Sequence, residues 1–233
     1  MTSRPIALLL VAAALALAAP SRAAADQAAG CHCFRDRAYD PARPTAADPY
    51  ILATTRSSTL AAVFGAEKAA LIRVVMTGTS ADDLWIAHWA GARVGKEPMQ
   101  LLAAKGAAGA WKKAFAAADR DALGEIFVER LAKNAADADL AAVAVDDVVV
   151  SRLRASPDLV HVTRAAGAGS PELILTLLLA PRLKVGPPEL LAAVKNGKSW
   201  GALLTEAGIA PRDIDDVVKA AVTPAPAQGW LLK

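Results

Sequence analysis

Hydrophobic residues after position 47 recur at helical spacing, and residues typical of helix ends interrupt them. Asp48-Pro49 is a typical helix start and Gly65 is a typical helix stop. Leu60 and Phe64 lie four residues apart and therefore share one face of the segment between these two signals. The pattern predicts a first helix over residues 49–64.

Two further helices are expected to follow it. One covers residues 66–76. The next begins after Ser80, whose hydroxyl can accept a hydrogen bond from the first helical turn, and ends near Gly95. Further along, the valines between Leu140 and Leu153 are typical of a strand, but alanines and the central Asp146-Asp147 pair fit a partly buried helix better.

The chain also resembles itself at a distance. Leu101-Leu102-Ala103-Ala104 is followed by Trp111, and Leu190-Leu191-Ala192-Ala193 is followed by Trp200. In both copies the tryptophan comes ten residues after the first leucine. Equal spacing of this kind is typical of repeated supersecondary units.

A Val-Gly pair precedes each copy, at residues 94–95 and 185–186. The sequence therefore predicts two degenerate tandem units of helix-turn-helix type, residues 80–131 and 170–221, joined by residues 132–169. The alternative is coincidence, because Leu-Leu-Ala-Ala arises easily in an alanine-rich chain.

A motif in the second copy resembles the helix-turn-helix of DNA-binding regulators. Gly197 to Leu204, Gly208-Ile209 and Ile214 to Val218 carry the resemblance, with glycine at the turn and apolar residues where the helices of that motif pack together. The motif departs from the family at Leu204, where a small residue is usual. The resemblance implies tri-helical packing over residues 197–220, with a small core formed by Leu203, Ala207, Ile209, Ile214 and Val217.

Composition favours an all-α protein. Alanine supplies 57 of the 233 residues and aromatic side chains only 11, whereas a β-sandwich would be rich in β-branched and aromatic residues. We expect an all-α, multi-helix domain over residues 48–222. A Cys- and Pro-containing segment, residues 26–47, precedes it, and a Pro/Ala linker with an apolar tail, residues 223–233, follows it.

Residues 1–25 have the pattern of a cleaved export signal. Arg4 precedes an uncharged apolar run of 14 residues, Ile6 to Ala19, and small residues follow at Ala23 to Ala25. The run is shorter than the roughly 20 apolar residues that span a membrane. The sequence predicts an exported protein, periplasmic or extracellular, without a transmembrane span.

Lipid attachment at Cys31 is an alternative interpretation of the same region, because Ala28-Ala29-Gly30-Cys31 loosely resembles a lipoprotein cleavage site. Arg22 and Asp26 disfavour it, since they lie between the apolar run and that cysteine. We therefore do not expect a lipid anchor.

The charge balance disfavours the DNA-binding function of helix-turn-helix regulators. The chain has 26 basic and 23 acidic residues, and removal of Arg4 and Arg22 with the signal leaves a net charge of +1. The helix that would enter the DNA groove carries Asp213, Asp215 and Asp216, which would repel phosphate groups. No nucleic-acid partner is expected.

Reactive side chains cluster at Cys31-His32-Cys33. Three interpretations remain open: a strained Cys31 to Cys33 disulfide, a soft-metal site with two thiolates and one imidazole, and free or partner-bonded thiols. The disulfide would be strained because two residues of separation place the Cα atoms up to about 7 Å apart, at the limit of disulfide geometry.

The other polar candidates have structural explanations. His88 lies between Trp85 and Trp89 on a predicted core-facing helical stripe, and His161 is expected in a loop. The aspartate pairs at residues 82–83, 146–147 and 215–216 are expected at helix starts and on solvated helix faces.

No catalytic constellation emerges from the sequence, so we do not expect an enzyme. The sequence favours an exported helical interaction or assembly module whose partner is a protein. The alternative is a small thiol-redox or soft-metal handling protein that uses Cys31, His32 and Cys33; no other cofactor is expected.

Overall fold

The computed structural model describes residues 34–222, and these residues form an all-helical fold. Within that range, 72% of the residues are helical and no strand is present. Thirteen α-helices occur there in the order α1 Asp48–Phe64, α2 Lys68–Met76, α3 Ala81–Val94, α4 Pro98–Ala108, α5 Trp111–Ala114, α6 Ala117–Leu123, α7 Glu125–Ala132, α8 Asp137–Arg152, α9 Pro157–Ala165, α10 Ser170–Leu183, α11 Pro187–Lys195, α12 Trp200–Glu206 and α13 Ile214–Ala221. A 3₁₀ turn, Pro211–Asp213, precedes α13.

Local capping explains where the first helices begin and end. Gly65 ends α1 with φ 66°, a left-handed conformation that glycine adopts without steric cost. Ser80 precedes α3 and accepts a hydrogen bond from the Asp83 amide at 2.9 Å. The helices expected from these signals are therefore present, and α8 confirms that the valine-rich stretch is helical.

The helices divide into two halves, residues 48–132 and residues 137–221, and the helix starts in both halves follow the same spacing. Helices begin at residues 48, 68, 81, 98 and 111, and again at residues 137, 157, 170, 187 and 200, each 89 positions further along. The stretch expected to connect the two units, residues 132–169, therefore contains two helices of its own, α8 and α9. These two helices have the order and spacing of α1 and α2.

The two Val-Gly pairs are not equivalent in this arrangement. Gly95 follows the last residue of α3 and has φ 70°, whereas Gly186 precedes Pro187 at the start of α11 and has φ −66°. The left-handed position that corresponds to Gly95 is Lys184, with φ 55°. The predicted match of the two Val-Gly pairs is thus wrong by two residues, because Gly186 lies two residues beyond the position that corresponds to Gly95. The matches of the Leu-Leu pairs and of the tryptophans keep the 89-residue spacing.

Packing between the halves is reciprocal. The helix α3 packs against α8, and its counterpart α10 packs against α1. The last helix of each half follows the same rule, because α7 packs against α8 and α13 packs against α1. Each long helix, α1 or α8, is thus covered by helices from both halves, and one continuous hydrophobic core results.

Trp111 and Trp200 each occupy the first position of a short helix and are buried. Trp111 stacks on Phe115 with ring centroids 5.2 Å apart. Beside Trp200, the amide of Gly201 donates to Asp48 at 3.0 Å, and Tyr39 lies so close that a Cβ on Gly201 would be 2.6 Å from its ring. The two environments share position and burial but differ in their neighbours.

The segment that resembles a helix-turn-helix contains α12, a turn at Gly208 with φ 69°, and α13. Leu203, Ile209 and Ile214 are buried as expected. On α13, Val218 rather than Val217 is fully buried, because it lies one turn after Ile214 on the face that covers α1.

Residues 34–47 form turns, bends and irregular backbone that lead into the start of α1. Phe34 packs edge-to-face on Tyr50 with ring centroids 6.4 Å apart, and Arg43 pairs with Asp36 at 2.9 Å. None of the helices in the described range is long and apolar enough to cross a membrane.

Candidate functional site

The side chains singled out as a possible redox or metal site, Cys31, His32 and Cys33, lie outside the described residues, as do the expected export signal and the apolar tail. The predictions about them therefore remain predictions. The nearest described residue is Phe34, which contacts Tyr50 in the first turn of α1.

A groove of about 630 Å³ separates α7 from α9, with α3 and α8 beneath it. We call it the α7–α9 groove. This volume lies within the range of small-molecule and side-chain binding clefts. The residues that line it are Trp89, Arg93, Leu123, Gly124, Glu125, Ile126, Phe127, Arg130, Ala142, Val143, Asp146, Asp147, Val150, Pro157, Val160, His161 and Arg164.

Aromatic and aliphatic side chains form the floor of the groove. Trp89 and Phe127 are almost completely buried, and their ring centroids lie 4.8 Å apart. Val143 and Val150 from α8 extend the apolar surface and remain half-buried. At the rim, Ile126 is 63% exposed. Water therefore contacts apolar surface here that further packing would bury favourably.

One end of the groove is held by a network around Asp147. The indole N–H of Trp89 donates to Asp147 Oδ2 at 2.9 Å, and Arg93 Nη2 pairs with Asp147 Oδ1 at 2.8 Å. The Arg93 guanidinium also lies 4.6 Å from the centroid of the Trp89 ring. Both carboxylate oxygens of Asp147 are thus used within the protein, which fixes the orientation of Trp89.

A second pair fixes α9 against α8. Arg164 Nη2 pairs with Asp146 Oδ1 at 2.7 Å and also donates to Ser170 Oγ at 3.2 Å. Burial raises the pKa of the Asp146 carboxyl, and Arg164 and Arg130 partly oppose this effect. The aspartate pair 146–147, expected on a solvated helix face, instead forms two partly buried interhelical ion pairs.

Two charged side chains on α7 are not neutralised in this way. Glu125 and Arg130 are exposed at the groove, and no ion pair within 4.0 Å joins either of them to another described residue. Arg130 donates one hydrogen bond, from Nη1 to the backbone oxygen of Asp139 at 3.3 Å. The neighbouring Glu129 pairs with Lys133 at 2.5 Å.

At the corresponding place in the other half, an ion pair joins the last helix to a neighbouring helix. Asp215 on α13 accepts hydrogen bonds from Ser58 on α1 and from Lys68 on α2, so one carboxylate joins three helices. Ser58 holds the same position in α1 that Asp147 holds in α8, ten residues after the start. The residue of α9 that corresponds to Lys68 of α2 is Pro157, since each is the first residue of its helix. Proline carries no charge that could bridge α9 to α7.

The histidines lie in different settings. His88 is half-buried against Phe64, with ring centroids 5.8 Å apart, and burial lowers its pKa. This contact agrees with a packing role. His161 is exposed on α9 at the groove, so its expected loop position was wrong. The helical pattern of Val160 and Arg164 around it could have indicated this.

The aspartate pair 82–83 lies in the first turn of α3, as expected, but Asp83 is a buried hydrogen-bond acceptor. It accepts from Trp111 Nε1 at 2.8 Å and from Lys105 Nζ at 2.9 Å. Lys105 pairs in addition with Asp137 at 3.0 Å. This cluster joins α3, α4, α5 and α8, and both carboxylate oxygens of Asp83 have a partner within the protein, which indicates a structural function.

The described residues contain no group of three or more His, Cys, Asp or Glu side chains that could hold a metal ion. The α7–α9 groove presents apolar surface beside the exposed charges of Glu125 and Arg130. Its interpretation depends on its own contacts, because the chain matches no family model, no curated protein and no solved structure.

Proposed function

We propose that the protein is an exported helical module that binds a protein partner through the α7–α9 groove. The observation that carries this proposal is the apolar surface of the groove, where Val143 and Val150 are half-buried and Ile126 is 63% exposed, above the buried rings of Trp89 and Phe127. Fixed aromatic side chains at a groove between helices are typical of sites that accept side chains from a partner.

The comparison between the halves supports this choice of surface. We infer that residues 48–132 and 137–221 descend from one duplicated unit, because five helix starts share the 89-residue spacing and the interhelical contacts are reciprocal. In one unit Asp215 joins the last helix to Lys68. The other lacks this bridge and leaves the groove open, so this surface is available to a partner.

The resemblance of residues 197–220 to a helix-turn-helix is interpreted as packing geometry alone. The helix α13, which would enter DNA, covers α1, and its Asp215 is engaged by Lys68. The remaining acidic residues, Asp213 and Asp216, would repel phosphate groups. We therefore propose a protein partner and not a nucleic acid.

Site-specific photocross-linking in the cells that make the protein tests the proposal. A photoreactive phenylalanine replaces Ile126, and matched control variants carry it at Val185 or Met99, which are also exposed but lie outside the groove. We expect a discrete protein adduct from position 126 and much weaker adducts from the controls. Equal adduct yields at all three positions would overturn the proposal.

A further inference from the structure

The three arginines that border the α7–α9 groove differ in what they contact. Arg93 pairs with Asp147 at 2.8 Å. Arg164 pairs with Asp146 at 2.7 Å, so both carboxylates that α8 contributes to the groove are held by a cation of the fold itself. Arg130 is exposed, and no carboxylate of the described residues lies within 4.0 Å of it. Of the three, Arg130 is therefore the cation that is available to an incoming anion.

Arg130 acts together with an apolar side chain. Ile126 precedes it by four residues, so the two lie on one face of α7, about 6 Å apart along the helix axis. Ile126 is 63% exposed. The other exposed charge of this helix at the groove, Glu125, lies about 140° around the axis from Arg130 and does not neutralise it. One face of α7 thus offers an aliphatic surface next to a cation.

The facing wall of the groove, α9, contributes a second polar side chain. His161 is exposed there, one turn before Arg164 and on the same face of the helix. Burial raises the pKa of the Asp146 carboxyl, and the charges of Arg164 from α9 and Arg130 from α7 oppose this rise. Asp146 therefore marks a place between the two walls to which both helices bring positive charge.

The other half of the fold shows what joins the helices at the corresponding place. There the carboxylate of Asp215 on α13 accepts hydrogen bonds from Lys68 on α2 and from Ser58 on α1. In the first half a cation is present on the last helix, as Arg130, but no carboxylate of the described residues contacts it. A carboxylate from outside the chain would complete here the kind of bridge that the second half builds from its own residues.

From these observations we propose that the segment of the partner protein bound in the α7–α9 groove carries an aspartate or glutamate side chain beside bulky aliphatic side chains. The carboxylate lies between Arg130 and His161. The aliphatic side chains cover Ile126, Val143 and Val150. This inference rests on the proposed function of the groove and specifies the chemistry of its partner. The arginine–carboxylate pair fixes the position of the segment, and the apolar contacts supply most of the affinity.

Selection of peptides on the purified full chain tests the proposal. A phage-displayed library of short random peptides is selected on the parent protein and, separately, on Arg130→Glu. On the parent protein we expect enrichment of acidic residues next to leucine, isoleucine or phenylalanine. On the variant we expect lysine or arginine in place of the acidic residues, because the variant presents an anion where the parent presents a cation.

Fluorescence anisotropy with one synthetic peptide from the parent selection then gives dissociation constants. We expect Arg130→Glu and Ile126→Ser each to weaken binding by about tenfold or more. Replacing the acidic residue of the peptide by its amide should weaken binding to the parent protein and not to Arg130→Glu. The matched control Lys133→Glu changes an exposed cation on the same helix outside the groove and should leave binding unchanged. Circular dichroism verifies that every variant is folded.

Three results would overturn the inference: selected peptides without acidic residues, a peptide whose affinity does not depend on Arg130, or a selection that enriches no peptide. The cross-linking experiment distinguishes these failures from failure of the proposed function. A discrete protein adduct from position 126, with the same yield when Arg130→Glu is also present, refutes the acidic segment and retains the groove as an interaction site.

Discussion

Asp83 accepts the indole N–H of Trp111 across 2.8 Å, although the two residues lie 28 positions apart and the aspartate is only 8% exposed. The second oxygen of the same carboxylate accepts from Lys105 at 2.9 Å. Asp83 therefore satisfies a buried indole and a partly buried ammonium at once, and it holds the start of α5 against α3.

Asp83→Ala is expected to lower the free energy of unfolding by about 3 kcal/mol, because it leaves the Trp111 N–H and the Lys105 ammonium without their shared acceptor. Urea unfolding at neutral pH measures this loss. Asp158→Ala, which removes an exposed aspartate from the first turn of α9, is the control and should cost less than about 1 kcal/mol. Equal losses in the two variants would contradict a central role for Asp83.

The Asp215 bridge predicts a pH dependence of stability. Burial raises the pKa of this carboxyl, but hydrogen bonds from Lys68 and Ser58 outweigh burial and leave the pKa below its ordinary value of 3.8. A carboxyl with a lowered folded-state pKa stabilises the fold above the ordinary value, and this contribution disappears as the pH falls through the folded-state value.

Asp215→Asn should therefore destabilise the protein at neutral pH and reduce the loss of stability that accompanies acidification below about pH 4. Thermal unfolding from pH 7 to pH 2 tests this. Asp216→Asn is the control, since the side chain of Asp216 is 85% exposed and reaches Lys219 only at 3.9 Å. A parallel pH profile for Asp215→Asn and the parent protein would refute the prediction.

A close approach at Gly91 predicts an unusual response to alanine. A Cβ at this position of α3 would lie 2.5 Å from the backbone oxygen of Lys96, which belongs to the turn into α4. Gly91→Ala should therefore lower stability by about 1 to 3 kcal/mol, although glycine to alanine within a helix ordinarily raises it.

The matched position in the other half provides the control. Ala180 lies ten residues after the start of α10, as Gly91 does in α3. Ala180→Gly should cost about 0.5 to 1 kcal/mol from backbone entropy alone. If Gly91→Ala stabilised the protein in urea unfolding, the turn after α3 would have to lie further from the helix than described.

The cysteines provide a test of the thiol and metal alternative. Replacing Cys31 and Cys33 with serine should leave the helical circular dichroism spectrum and the melting temperature nearly unchanged, because a bridge that closes so short a loop restricts few unfolded conformations. The same double variant should abolish any metal binding, mixed disulfide or lipid modification that the parent protein shows. A large loss of stability would make the cysteines structural and would remove the basis of that alternative.

Local signals in the sequence predict the helices well. Ser80, Gly65 and Gly95 act through neighbouring backbone groups, so their effects on helix ends follow from a few adjacent residues. The matching pairs Leu101 and Leu190, and Trp111 and Trp200, also keep their correspondence in the fold. The Val-Gly match fails because Gly95 ends a helix, whereas Gly186 precedes one.

The groove could not be predicted from the sequence, because its charges are paired over long distances. Arg93 meets Asp147 from 54 positions away, and Lys68 meets Asp215 from 147 positions away. An aspartate on a predicted helix therefore looks the same in the sequence whether it faces water or an arginine. The difference between the two halves depends on such pairs and becomes visible only in three dimensions.

The contact of α1 with α13 has a consequence for how the protein is made. The first and the last described helices cover each other, so a ribosome must synthesise almost the whole described chain before the apolar face of α1 finds its final neighbour. Earlier helices cover part of that face, and the rest stays uncovered until residues 214–221 are made. Truncation within α13 should therefore be far more damaging than its eight-residue length suggests.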